Sequence, residues 1–279
     1  MSQIFVFIAN EFGCYDIEVS LIKKIILGAF IILAVGLIFF FRVQIKDFTK
    51  ELLGPRLPEP KQAEEFIKEK PKTEIVLLKT ENKNPEPATP KSIEEINLDI
   101  PFGSQAPFAN WDLPYQETCE EAAAIMAHYY LAGKKLNPKI MDEEILALIE
   151  WEKKTFGYYE DTTAEEMARI LREYFGHKNI EVRYEFTIDD IKKEVALGHP
   201  VILPAAGRLL GNPNFRQPGP IYHALVIKGF TKNKIITNDP GTRNGHNFLY
   251  DPKVLMDAIH DWNSEDILLG KKAMVIVGG

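Results

Sequence analysis

The sequence predicts an α+β domain, and three observations predict it. Helix signals crowd into residues 118–198, and strand-like runs crowd into residues 200–277. Helices first and strands later argue against a parallel βαβ alternation. The Lys-, Glu- and Pro-rich stretch before them buries too little apolar surface to offset its ordering entropy.

The elements follow in order from Ile93, where the folded domain (93–279) is expected to begin. Leu98 to Phe102 alternates like a short strand, and Gly103 to Pro114 is a loop carrying Phe108 and Trp111. A helix is expected from Thr118 to Leu131, ended by Ala132-Gly133. Pro138 to Lys154 carries Ile140, Met141, Ile145, Leu146 and Ile149 near helical spacing. Thr163-Ala164-Glu165-Glu166 reads as a capping box opening a helix that stops at Gly176. Thr187-Ile188-Asp189-Asp190 opens the next, which stops at Gly198. Strands are expected at Pro200–Ala205, Ile221–Phe230, Lys234–Asn238 and Ala273–Val277. Between the first two lies Gly207 to Pro220, dense in Gly, Pro and Asn, and expected to form a lid or wall of a cleft.

Upstream, a short tail (1–24) precedes an uncharged apolar run from Ile25 to Phe41, bracketed by Lys23-Lys24 and Arg42. That run reaches the lower end of the ~17–25 residues a membrane-spanning helix needs. It is read as an uncleaved anchor, because no small-x-small cleavage site follows it. Residues 42–92 are then a flexible linker, with a short strand-like run at Thr73–Lys79. An N-terminal anchor and a stalk imply a single-pass cell-membrane protein with its domain extracytoplasmic, although Arg42, Lys46 and Lys50 count the other way.

The 279 residues are 46% hydrophobic and 26% charged, with a net charge of −7. No basic cluster is interleaved with aromatics, so nucleic acid is not the expected partner. Cys14 and Cys119 flank the apolar run, which argues against an intrachain disulfide.

Cys119 stands where a turn-rich loop gives way to an alanine-rich helix, Cys119-Glu120-Glu121-Ala122-Ala123-Ala124. A helix N-terminus favours the thiolate, the nucleophilic form. His223 lies in a strand-like run, and Asn238-Asp239-Pro240 follows. Cysteine, histidine and then an amide or carboxylate is the working set of a thiol hydrolase. If Thr231-Lys232-Asn233 is a three-residue loop pairing Phe230 with Lys234, Leu225 faces Asp239. Asp239 is then the diagonal neighbour of His223, about 7–8 Å away by backbone. A one-residue slip puts Asn238 there instead. The oxyanion donors on offer are the Cys119 N–H and the side-chain amides of Gln105 and Gln116.

These residues carry a resemblance. Ile100-Pro101-Phe102-Gly103-Ser104-Gln105, the cysteine heading an alanine-rich helix, Gly198-His199-Pro200-Val201-Ile202, and Tyr222-His223-Ala224-Leu225-Val226-Ile227 followed by Asp239-Pro240 resemble the papain-like cysteine peptidases. Within that clan the chain is similar to stand-alone bacterial relatives of the double-glycine leader peptidases of bacteriocin exporters. The resemblance runs from about Ile96 to the C-terminus. It implies N-terminal helices on an antiparallel sheet, a peptide or protein substrate, and no cofactor. It also implies roles: Cys119 as nucleophile, His223 as general base and acid, Asp239 as orienting carboxylate, and Gln105 as oxyanion donor. Many relatives follow the cysteine with glycine and proline, whereas this chain has Glu120-Glu121. Carboxylates there oppose a thiolate, implying a weaker nucleophile or a preference for basic substrates.

Other chemistries lack their motifs: no H-E-x-x-H, paired C-x-x-C, P-loop or G-x-S-x-G occurs. His128, His177, His199, His246 and His260 are scattered without metal-ligand spacing. Two alternatives to a general peptidase stand beside it. One is a cell-wall peptide amidase or endopeptidase using the same triad. The other is a non-catalytic stalked binding module.

Overall fold

The computed structural model describes residues 56–68 and 93–278, together with Gly36 and Arg42. The chain divides into two units, Met1–Arg56 and Leu57–Gly279. The second holds the elements below. The predicted anchor, apart from Gly36, and the Thr73–Lys79 run lie outside the described residues. Among the described residues no helix is long and apolar enough to cross a membrane.

The elements in chain order are β1 (Pro60–Lys61), α1 (Ala63–Lys68), β2 (Ile96–Leu98), α2 (Cys119–Leu131) and α3 (Pro138–Thr155). Next come α4 (Ala164–Arg169), β3 (Ile180–Arg183), α5 (Ile188–Ala196), β4 (Val201–Ala206) and β5 (Tyr222–Phe230). The chain closes with β6 (Ile235–Asn238), β7 (Phe248–Tyr250), α6 (Pro252–Ala258) and β8 (Met274–Val277). The strands form a mixed but mainly antiparallel sheet in the order β1-β2-β5-β4-β8-β3, with β6 and β7 joined through β5.

Local chemistry sets the helix starts. Thr163 and Thr187 each accept from the backbone N–H three residues on, and Glu166 and Asp190 return the bond. Asn137 caps α3 by accepting from the Ile140 N–H. α4 continues as a π-turn over Ile170–Tyr174 before Gly176 ends it in the left-handed region. Cys119 through Ala127 on α2 are all buried, and its alanines let the neighbouring elements approach closely. A helix buried all round fits a central element of the core.

Three sequence expectations are corrected. Residues 60–68, expected in the linker, form β1 and α1. Lys61 O accepts from the Asp99 N–H at 2.7 Å, and the Phe66 ring lies where a Cβ on Gly198 would stand. Prolines are tolerated there because β1 is an edge strand. The Leu98–Phe102 strand ends instead at Leu98, having started at Ile96. The hairpin after β5 pairs Phe230 with Ile235, not Lys234, so its loop is one residue longer.

Candidate active site

Cys119 is the first residue of α2 and is 6% exposed. Thr118 does not cap the helix with its side chain, and its hydroxyl donates instead to the Gln105 and Tyr115 carbonyls. The Cys119 Sγ donates to Glu120 Oε2 at 2.9 Å. Burial, then the Glu120 charge and hydrogen bond, push the thiol well above its ordinary value. The Ala224 N–H opposes this, and Glu121 adds to it. Against the pull of the helix start toward the thiolate, burial and the adjacent carboxylate act to keep the thiol protonated.

Ala224 follows His223 on β5, so the thiol sits beside the histidine strand. His223 is buried, and its Nε2 lies 2.8 Å from Asp239 Oδ1. Phe215, from the 207–220 loop, packs edge-on against the imidazole with ring centroids 5.2 Å apart. Asp239 is fully buried and accepts at both oxygens. Oδ1 also takes the Gly241 N–H at 3.0 Å, while Oδ2 takes Asn212 Nδ2 at 2.9 Å and the Tyr250 hydroxyl at 2.6 Å. Burial works to raise this carboxyl. Attraction to His223 and the bonds from His223, Tyr250 and Asn212 outweigh it and hold it below its ordinary value.

Two glycines let the Asp239 loop fold this tightly. A Cβ on Gly241 would stand 2.7 Å from His223 Cε1, and one on Gly245 would collide with the Asp239 carbonyl oxygen. The same loop is tied to the segment before α2, since Pro240 O accepts from the Gln105 N–H and the Ser104 hydroxyl.

The side chains of the remaining sequence candidates are engaged with other partners or exposed. Gln105 is buried, but its amide donates to the Tyr115 and Gln116 carbonyls at 2.9 and 3.1 Å, which spends both hydrogens. Gln116 contributes that carbonyl and is itself exposed. Asn238 turns to Ile100 O and Pro101 O and accepts from the Asn247 N–H, so Asp239 and not Asn238 meets His223. Sequence reasoning missed Asn212, Phe215 and Tyr250. The first two lie in the loop expected to wall a cleft, and Phe215 does line the histidine.

Glu120 Oε1 accepts from the Thr162 N–H at 2.9 Å, and burial pushes this carboxyl up to about 8. Glu121 and Glu152 are fully buried, their oxygens have no hydrogen-bond partner, and burial raises both carboxyls. A cavity of about 490 Å³ is lined in part by Thr163, Tyr184, Asp261, Trp262 and Lys271. Trp262 packs on Tyr222, the residue before His223. Among the described residues no cluster of His, Cys, Asp and Glu is arranged to hold a metal ion.

The Peptidase C39-like family matches residues 97–264 of the chain. No curated protein matches it. Among solved structures, the crystal structure of a candidate C39-like peptidase from Bacillus anthracis is 16% identical to it, with a TM-score of 0.45. That match covers 67% of this chain and 98% of the other. The chain belongs to the Peptidase C39-like family, and thereby to the papain-like cysteine peptidases.

Proposed function

We propose that the chain hydrolyses peptide bonds through Cys119, His223 and Asp239 by way of an acyl-enzyme thioester. Family membership implies a cysteine peptidase with a peptide or protein substrate. The observation that carries the finer reading is the 2.8 Å contact between buried His223 Nε2 and Asp239 Oδ1. An ionised Asp239 accepts the Nε2 proton, which leaves Nδ1 as the basic nitrogen. Nδ1 takes the Cys119 proton as Sγ attacks the substrate carbonyl carbon. It returns that proton to the amine as the C–N bond breaks, and water then hydrolyses the thioester. The Cys119 N–H at the helix start is the oxyanion donor in this scheme. Gln105 joins it only if its amide leaves the two carbonyls it now holds.

The test is turnover of a library of internally quenched peptides that includes cell-wall stem peptides. Cleavage abolished by Cys119→Ala and by His223→Ala, and reduced about 10²–10⁴-fold by Asp239→Asn, is the expected result. Cleavage that persists in both alanine variants refutes it. One observation favours a second reading, the non-catalytic module: the thiol is 6% exposed and already bonded to Glu120. That reading predicts peptide binding without turnover in the wild type.

The apolar run at 25–41 supports anchoring in the cell membrane, with the domain on the extracytoplasmic side. Protease added to intact cells should then remove the domain. Digestion only after lysis refutes the orientation.

A further inference from the structure

Glu120 touches the nucleophile, and the scheme above makes no use of it. Its carboxyl is held from two sides. Oε2 meets Cys119 Sγ at 2.9 Å, and Oε1 takes the Thr162 N–H at 2.9 Å. Thr162 is fixed in turn, since its carbonyl accepts from the Tyr222 hydroxyl at 2.7 Å. Glu120 is 1% exposed. The groups acting on it are Cys119 and Glu121 on α2, Glu152 on α3, Asp161 in the loop before α4, and Tyr222 on β5. No cation is among them. Two full anions 2.9 Å apart in such a pocket repel strongly, so Sγ and Oε2 hold at least one proton between them.

We propose that Glu120 is a positioning residue that keeps the resting Cys119 thiol protonated and thereby sets the pH at which the nucleophile forms. The inference rests on the peptidase reading above. In the resting state the S–H bond points to Oε2. For reaction the proton passes from Sγ to His223 Nδ1, the sulfur pair forms the bond to carbon, and Glu120, once ionised, faces the developing thiolate as an anion. Glutamine at 120 keeps an acceptor for the Thr162 N–H and offers an N–H to the sulfur. It therefore favours the thiolate that glutamate opposes.

The experiment measures iodoacetamide modification of Cys119 in the full chain from about pH 5 to 10. It compares wild type, Glu120→Gln and His223→Ala. In Glu120→Gln the midpoint of the rate profile should fall by about one pH unit or more, with reaction at pH 7 about tenfold faster. An unchanged or raised midpoint overturns the proposal. His223→Ala tests the underlying reading separately, since a profile identical to wild type there means the histidine does not serve the thiol. Should Glu120→Gln not fold, as judged by near-UV circular dichroism, the thiolate absorbance at 240 nm in a Cys14→Ser background decides. A titration midpoint below the free-thiol value of about 8.5 overturns the proposal, and one at or above it that falls in Glu120→Ala upholds it.

Discussion

Glu152→Gln isolates what the buried carboxyls cost the fold. Glu120, Glu121 and Glu152 are buried on α2 and α3. Burial pushes Glu120 and Glu152 up to about 8, and raises Glu121 with help from the charges of Glu152 and Glu120. Unfolded, each ionises near 4.5. Between those values the native chain keeps protons that the unfolded chain has released. Their contribution is therefore full below about 4.5 and is lost as pH rises through about 8. Other groups fix the window to watch. His128, His177 and His246 are depressed by burial, so their opposite contribution is complete once pH exceeds about 6.5. Lys228, held down at about 8 by burial, adds stability only from there upward. From pH 6.5 to 8 the carboxyls dominate. One of them titrating near 8 removes about 1.6 kcal/mol over that range, from a slope of about 1.4 kcal/mol per pH unit. Glutamine at 152 keeps the volume and a donor for Glu121 but has no proton to lose. Urea unfolding at several pH values in this range should therefore show the wild type losing about 1.6 kcal/mol more than the variant. In thermal melts the difference is about 3–6 °C. Parallel profiles, or a wild type that gains stability with pH, would refute the claim that the native carboxyls are protonated.

Tyr250→Phe removes one of the donors to Asp239 Oδ2 and leaves Asn212 there. A bond to a charged group contributes about 1.5–3 kcal/mol, so kcat/KM is expected to fall about 10- to 100-fold, and an unchanged value refutes the role. Gln105→Ala should lower Tm together with activity, because the amide fastens the Tyr115–Gln116 carbonyls. A loss of kcat at constant Tm would instead return Gln105 to the oxyanion role. Gly245→Ala drives a methyl into the Asp239 carbonyl and should destabilise by about 1–3 kcal/mol in urea unfolding, with strain as the mechanism. A variant as stable as wild type means the loop gives way freely.

Helices were legible because their signals are local. Thr163 with Glu166 and Thr187 with Asp190 mark starts, and Gly176 and Gly198 mark ends. Strands β4, β5, β6 and β8 were legible as apolar runs. β3 and β7 were not: β3 depends on β8, brought from far away in sequence, and β7 is only three residues long. α6 carries a local start signal of its own: Asp251 accepts from the Lys253 N–H, and Pro252 occupies the first turn. The order of Cys119, His223 and Asp239 was readable. The burial of Glu120, Glu121 and Glu152 was not, since acidic residues in a first helical turn ordinarily face water. Nor did any sequence signal place Asn212 and Tyr250 on Asp239, because Asn212 lies in an irregular loop and Tyr250 on a short strand whose pairing the sequence does not announce.

The meeting of Asp239 with His223 depends on one extra residue. At the hairpin end, β5 and β6 pair Phe230 with Ile235 and Gly229 with Ile236. Carried onward unchanged, that register would place Pro240 opposite Leu225 and turn Asp239 to the other face of the sheet. Between Gly229 and Ile227 the register shifts, and the ladder resumes with Ile227 facing Thr237 and Val226 facing Asn238. Lys228 is the residue left over. It is buried, and its Nζ donates to Asn247 Oδ1 at 2.9 Å, so the bulge is anchored to the chain just beyond the Asp239 loop. Gly229 beside it carries no side chain because β2 lies against it: a Cβ there would stand 2.9 Å from the Asn97 Cα. The bulge thus reconciles two demands on one strand. The upper part of β5 takes the register the four-residue loop allows, and the lower part takes the register that sets Asp239 diagonal to His223.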